Sequence, residues 1–288
     1  MAIPERDYDY FCELVHRHSG IVVGKGKTYL LEARLSPIVR DEGMETLSDL
    51  AAKLRLSTRT ELHTTVIEAM TTNETSFFRD TDPFDAMRDH LIPKVMEERT
   101  KERSINIWCA ACATGQEPYT IAMTLREHFP ELATWRVNIL ATDLAHKIIN
   151  YAKAGTYNGI EIKRGLSERL RDKYFRQEGE YWQINQDLRQ MINFRQMNLI
   201  DAWPLIPQMD VVFLRNVLIY FNLPQKQHIL IKLRKVLKPG GSLFLGKAET
   251  TYLIDTSFKR VPIGKAVTYQ PQAEKHKAPA LSFIAPAA

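Results

Sequence analysis

Two acids, each just past the end of an apolar run, carry the clearest chemistry in this chain. Glu117 follows the turn Cys112-Ala-Thr-Gly-Gln116, and Asp143 closes the run Ile139-Leu-Ala-Thr-Asp143. Ile105 to Trp108 leads into the first turn, and a helical pattern from Tyr119 to Arg126 leads out of it. That is strand, tight glycine turn, helix. In a parallel sheet such a turn sits at the strand's carboxyl end, where nucleotide-like ligands bind. Gly115 supplies the backbone geometry or the close approach that a Cβ would block. An acid ending the next strand puts a carboxylate where ribose hydroxyls would lie. The turn has neither a P-loop lysine nor the full G-x-G-x-x-G spacing. Kinase, NTPase and NAD readings therefore fall behind an adenosyl ligand such as S-adenosylmethionine.

Other reactive residue types give less. Cys109 and Cys112 form a C-x-x-C, but the only other cysteine is Cys12, so no second pair completes a zinc site. Their place at the end of a strand and in its turn reads as small apolar filler. None of the eight histidines makes an H-E-x-x-H pattern, and no metal is expected. A net charge of +5 is compatible with an acidic protein partner or with nucleic acid, and equally with a solvated basic surface. No apolar run of about 18 residues occurs, so no membrane span is expected. With no apolar signal segment at the start either, the expectation is a cytoplasmic protein, and a monomer by default.

These residues need a scaffold, and the pattern supplies two kinds. Residues 1–70 read as helices only. Phe11, Leu14, Val15 and His18 share a face, and Ser19-Gly20 is a stop. A second helix runs from Lys27 to about Arg40, with Tyr29, Leu30, Ala33 and Ile38 as core contacts and a bend expected at Pro37. A third starts at Thr46 with Asp49 as capping partner, and a fourth at Thr58 with Glu61. Residues 71–104 read as a linker and a bridging helix that Asp82-Pro83 opens, with Phe77 and Phe78 as packing residues. From 105 to 269, short apolar strands (Ile105–Trp108, Val137–Thr142, Val211–Leu214, Ser242–Leu245) alternate with helices. That is an α/β, Rossmann-like parallel sheet covered on both faces. Lys238-Pro-Gly-Gly241 reads as a sharp turn, and 173–196 as an excursion of two or three short antiparallel strands. Such an edge is a candidate docking surface. Residues 270–288, rich in Pro, Ala and Lys, read as a disordered tail.

Taken together, Thr71-Thr-Asn73-Glu-Thr75-Ser-Phe-Phe-Arg79, Ala113-Thr-Gly-Gln-Glu117-Pro-Tyr, Ala141-Thr-Asp143, Asn198-Leu199 and Phe213-Leu-Arg215-Asn216-Val-Leu-Ile-Tyr220-Phe resemble the CheR-type chemotaxis receptor methyltransferases. The order and spacing hold across nearly the whole chain, to Tyr269. The resemblance implies a class I S-adenosylmethionine-dependent methyltransferase fold behind an all-helical domain that contacts the receptor. It implies methyl transfer from S-adenosylmethionine to glutamate side chains of chemoreceptors, leaving S-adenosylhomocysteine and a glutamate methyl ester. By the same resemblance, Asn73, Thr75 and Arg79 close over the cofactor. Glu117 and Asp143 contact it, with Asp143 on the ribose. Asn198-Leu199 lie near the adenine, and Arg215-Asn216 follow the fourth strand. Arg79 and Tyr220 act near the transferred methyl. Arg34 and Arg40, on the second helix, grip the acidic methylation region.

The residues taken alone leave blander alternatives. Arg34 and Arg40 are also ordinary surface charges, Asp143 a helix cap and Tyr220 a packing residue. Base-amine methyltransferases of this fold usually carry Asn/Asp-Pro-Pro-Tyr after the fourth strand, where this chain has Arg215-Asn-Val-Leu-Ile-Tyr220. A non-catalytic scaffold would not need Arg79, Glu117, Asp143 and Tyr220 intact. Two departures from the family pattern stand out. The turn Arg176-Gln-Glu-Gly-Glu-Tyr181 is compact, resembling members that do not use a tethering peptide at the receptor's C-terminus. Gly246-Lys247-Ala248-Glu249 replaces a more common Gly-His-Ser-Glu, with no function attached to the change.

Overall fold

Residues 3–57 and 60–272 are described by the computed structural model. Four helices form the N-terminal unit: α1 (Glu5–Ser19), α2 (Thr28–Asp41), α3 (Leu47–Arg55) and α4 (Glu61–Ala69). Their apolar stripes meet in one cluster that includes Phe11, Val15, Leu31, Leu35, Leu50, Leu54 and Val66. Helix α1 stops where expected: Gly20 takes φ 74° and its N–H returns to the His16 carbonyl. Thr46 and Asp49 form the expected capping box. The fourth helix differs from the expectation. Its capping box is Thr60 with His63, two residues later, and Thr58 lies outside the described residues. The buried face of α2 is Leu31, Leu35, Ile38 and Val39, while Tyr29 is 67% exposed and Ala33 faces solvent. The i, i+4, i+7, i+8 spacing of that set marks the true inner stripe.

The second unit is built on ten strands: β1 (Ser104–Ala110), β2 (Arg136–Asp143), β3 (Thr156–Asn158), β4 (Phe175–Glu178), β5 (Tyr181–Ile184), β6 (Ile192–Gln196), β7 (Met209–Leu214), β8 (Leu237–Leu245), β9 (Phe258–Ile263) and β10 (Ala266–Pro271). Seven of them make one sheet in the order β6-β2-β1-β7-β8-β10-β9. The first five are mutually parallel, and β9–β10 is an antiparallel hairpin on the far edge. Alternation along β1 sends Ile105, Ile107 and Cys109 to one core and Trp108 and Ala110 to the other. The helix Gln116–His128 and the bridging segment from Asp82 cover the first face, and Leu223–Val236 covers the second. The bridging helix widens to a π turn over Met87–Leu91 just before Pro93, which has no N–H to give. Among the described residues no helix is long and apolar enough to cross a membrane.

Three further expectations are corrected. First, Ile192–Gln196 is not part of the antiparallel excursion. It pairs in parallel with β2, Ile139 with Ile192 through Asp143 with Gln196, and forms the sheet's edge strand. Ile192 and Phe194 carry it there, because both turn toward the main core. The excursion's third strand is instead β3, giving the order β3-β5-β4; three residues are too short to show in the pattern. Second, Lys238-Pro-Gly-Gly241 is not a turn outside the strand but lies within β8, where the register against β7 shifts between Met209 and Val211. A Cβ on Gly241 would fall 2.9 Å from the Lys238 carbonyl oxygen and 3.0 Å from that of Met209. Third, Gln270 and Pro271 belong to β10, and the Gln272 N–H reaches the Ser257 carbonyl at 2.8 Å. The rest of the expected tail, 273–288, lies outside the described residues.

Candidate active site

The strand order reverses direction between β1 and β7: from β1 the chain moves outward to β2 and β6, then returns to β7 and β8. At the carboxyl ends of these strands lies one cleft, the position expected for a ligand in an open α/β sheet. Every residue singled out for cofactor or methyl chemistry lines it. Asn73, Thr75 and Arg79 come from the linker, Glu117 from the turn after β1, and Asp143 from the end of β2. Asn198 and Leu199 follow β6, while Arg215, Asn216 and Tyr220 follow β7. Arg34 and Arg40 are not in the wall.

Asp143 is 6% exposed. One carboxylate oxygen accepts the Ala113 N–H at 2.9 Å and the other accepts the Ala145 N–H at 3.2 Å. It therefore ties the loop after β1 to the loop after β2, and the following helix begins without it. Burial pushes its pKa up, opposed by N–H groups of Ala145, Ala113 and Leu144. A carboxylate so held keeps acceptor capacity toward the cleft, which suits ligand hydroxyls. Gly115 has φ 95°, and a Cβ there would stand 2.9 Å from the Ala152 side chain. Its demand comes from the helix His146–Ala154 passing close by.

Arg215 joins three groups at the cleft. It donates to the Glu117 carboxylate at 2.8 Å, the Arg79 carbonyl at 2.7 Å and the Asp80 carboxylate at 3.0 Å. The Arg215 side chain is 3% exposed. Desolvation raises the Glu117 pKa, and Arg215 opposes it. Arg79 sits between two left-handed residues, Phe78 at φ 49° and Asp80 at φ 54°. Ala111 (φ 57°), Ala113 (φ 48°) and Asn216 (φ 60°) border the cleft in the same uncommon conformation. Each such residue costs on the order of 1–3 kcal/mol, and such strain concentrates at functional sites.

The support for Asn216 is a residue to which the sequence attached no role. Glu249, 8% exposed, accepts N–H groups from Gly246 (2.7 Å), Asn216 (2.7 Å), Val217 (2.8 Å) and Ile219 (3.2 Å). One carboxylate thus shapes the whole loop from Arg215 to Tyr220. The signal was present in Gly246-x-x-Glu249 at a strand end. The N-terminal unit also contributes to the wall through Ser19, expected only as the stop of the first helix, and through Ile21, to which no role was attached. Val22 N–H bonds the Tyr220 carbonyl at 2.9 Å, and Asn198 bonds the His18 carbonyl at 2.8 Å, so the helical unit closes one side of the cleft. Cys109 and Cys112 are buried and unpaired with each other, as filler should be, and burial holds both thiols well above their usual pKa.

Two family models match this chain. "CheR methyltransferase, all-alpha domain" covers residues 6–71, and "CheR methyltransferase, SAM binding domain" covers residues 73–267. The chain belongs to the CheR methyltransferases. Chemotaxis protein methyltransferase 1 of Pseudomonas aeruginosa is 35% identical over 275 residues, spanning 94% of this chain and 99% of that protein. Chemotaxis protein methyltransferase of Vibrio parahaemolyticus is 36% identical over 274 residues, spanning 94% and 98%. Chemotaxis protein methyltransferase Cher2 of Pseudomonas putida is 34% identical over 275 residues, spanning 94% and 99%. This CheR methyltransferase is therefore an S-adenosylmethionine-dependent enzyme of the chemotaxis kind, and a nucleic-acid or small-molecule substrate, or a non-catalytic scaffold, is not favoured.

Proposed function

We propose that the chain methylates glutamate side chains of chemoreceptors, forming glutamate methyl esters and S-adenosylhomocysteine. The observation that carries this reading is the convergence on one cleft of two acids, buried Asp143 and largely covered Glu117, with two groups suited to orienting a carboxylate, Arg79 and Tyr220. The cleft's donors and acceptors fit S-adenosylmethionine. Asp143 would take the ribose hydroxyls, Asn198-Leu199 would flank the adenine, and Glu117 with Arg215 would meet the amino-acid end. Asn73, Thr75 and Asn216 complete the wall.

When bound, the cofactor supplies a methyl carbon on positively charged sulfur. A receptor glutamate is ionised at neutral pH and needs no general base, so the protein's part is positioning. Arg79 bonds the Glu74 carbonyl at 3.0 Å with one guanidinium nitrogen, which anchors the group while leaving it other donors. The Tyr220 carbonyl accepts the Val22 N–H at 2.9 Å, and the residue lines the same cleft. A fully paired Arg–carboxylate would blunt the nucleophile, so a partly engaged Arg79 favours alignment over charge quenching.

The receptor side of the proposal is the methylation region alone, bound without a C-terminal peptide tether and by a single copy of this chain. The hairpin β4–β5 supports this. It turns through two residues, Gly179 (φ 63°) and Glu180, the type II′ pattern, with no extended loop to cradle a peptide. The deciding experiment is tritiated-methyl transfer to receptor-containing membranes, with base-labile label as readout. Base-labile label is expected on the receptor, depressed more in turnover than in cofactor affinity by Arg79→Ala and Tyr220→Phe. It should be nearly unchanged when the receptor's C-terminal peptide is deleted. Base-stable label, or none on receptor, would refute the ester reading.

A further inference from the structure

Arg34 was expected to face the receptor, yet its guanidinium points into the protein. One terminal nitrogen donates to the carbonyls of Met70 at 2.6 Å and Thr71 at 2.7 Å, and the other to the Thr72 hydroxyl at 2.8 Å. These acceptors begin the linker that carries Asn73 and Thr75 into the cleft, and Thr71 and Thr72 themselves line it. The Asn73 amide is held in turn by the Thr71 hydroxyl at 3.0 Å. Burial lowers the Arg34 pKa, and Tyr220 lies within electrostatic reach. Arg40, six residues along α2, is exposed. The two arginines are therefore not equivalent.

We propose that Arg34 is a positioning residue for the cofactor site, clamping the start of the linker to α2, and that the receptor contact on this helix falls to Arg40. This rests on the cofactor and receptor assignments proposed above. The clamp needs a guanidinium. A planar fork reaches two carbonyls and a hydroxyl at once, whereas an ammonium is a point donor on a flexible stem. It also joins segments 36 to 38 residues apart, so it sets the angle at which the linker leaves α4 toward the cleft.

Calorimetric titration of the full chain with S-adenosylhomocysteine tests it, alongside receptor methylation kinetics. Arg34→Gln should weaken S-adenosylhomocysteine by about tenfold, the scale of one hydrogen bond to a charged group. Arg34→Lys should recover part of that loss. Thr72→Val, which removes one acceptor of three, should give a smaller loss of roughly two- to fivefold. Arg40→Gln should leave this affinity unchanged and raise the KM for receptor. Amide exchange over 71–75 should quicken in Arg34→Gln and not in Arg40→Gln, which a general loss of stability would not produce. Wild-type S-adenosylhomocysteine affinity in Arg34→Gln, with a raised receptor KM, would overturn the proposal. Should that variant fail to fold, wild-type affinity in Thr72→Val overturns it equally. If wild-type protein binds S-adenosylhomocysteine yet leaves receptor unmethylated, the receptor reading fails alone, and the calorimetric series still judges the clamp.

Discussion

Arg215 and Glu117 meet at 2.8 Å, with their side chains 3% and 13% exposed. Each makes the other tolerable in a place with little water. Removing one partner of such a pair leaves an uncompensated buried charge, typically costing about 3–5 kcal/mol. Arg215→Ala should therefore lower stability by roughly that amount in urea unfolding and raise the Glu117 pKa further. Pairing it with Glu117→Gln should restore part of the loss. A single variant as stable as wild type would mean Glu117 simply takes up a proton.

Asp143 holds two loops and faces the cleft. Asp143→Asn keeps the size but turns an NH2 group toward one of the two N–H donors, Ala113 or Ala145. Loss of a charge-assisted acceptor is worth about 1.5–3 kcal/mol, so S-adenosylhomocysteine affinity should fall about tenfold or more. Calorimetry decides; unchanged affinity would move the ribose away from this carboxylate.

Glu249 uses both oxygens, one for Val217 and Ile219 and the other for Asn216 and Gly246. Glu249→Gln must therefore present an NH2 group to two N–H donors whichever way the amide lies. Each unsatisfied buried donor costs about 1–3 kcal/mol, and either Asn216 with Gly246 or Val217 with Ile219 would lose its acceptor. A lower melting temperature together with weaker cofactor binding is expected. A lower melting temperature with intact binding would make Glu249 a purely structural group.

Glu127 gives the clearest dependence on pH. Desolvation opposes its ionisation, but Lys173, the Tyr174 hydroxyl and Arg169 outweigh that and hold its pKa at about 2. Its ordinary value is 4.5. A carboxylate held lower in the folded chain than in the unfolded one stabilises the fold above the unfolded value. That contribution is lost as pH falls from about 4.5 toward 2. Glu127→Gln should flatten the acid limb of a stability-versus-pH curve in that window and leave the neutral-to-alkaline part parallel to wild type. The pair of helices Gln116–His128 and Glu168–Tyr174 should loosen first, because Glu127 joins them.

The alternation of short strands with helices, the all-helical start and the acids that end two strand runs are all legible in the sequence. Those features are local, since hydrophobic period and turn chemistry are written in neighbouring residues. Glu117, Asp143, Asn198, Leu199, Arg215, Asn216 and Tyr220 line one cleft because in a parallel sheet all carboxyl strand ends share one rim, and the linker brings Asn73, Thr75 and Arg79 to the same rim. Tertiary structure decided what depends on distant partners. Ile192–Gln196 has the look of a hairpin strand, and only packing of Ile192 and Phe194 on the main core sends it to the edge of the large sheet. Glu249 reads as an unremarkable acid until four N–H groups from residues up to 33 positions away converge on it. Arg34 reads as surface charge until the linker 36 to 38 residues later brings two carbonyls and a hydroxyl within reach. Periodicity tells which face a side chain occupies. It says nothing of which backbone will pass beside that face, because that is set by loop closure and by the packing of the two units against each other.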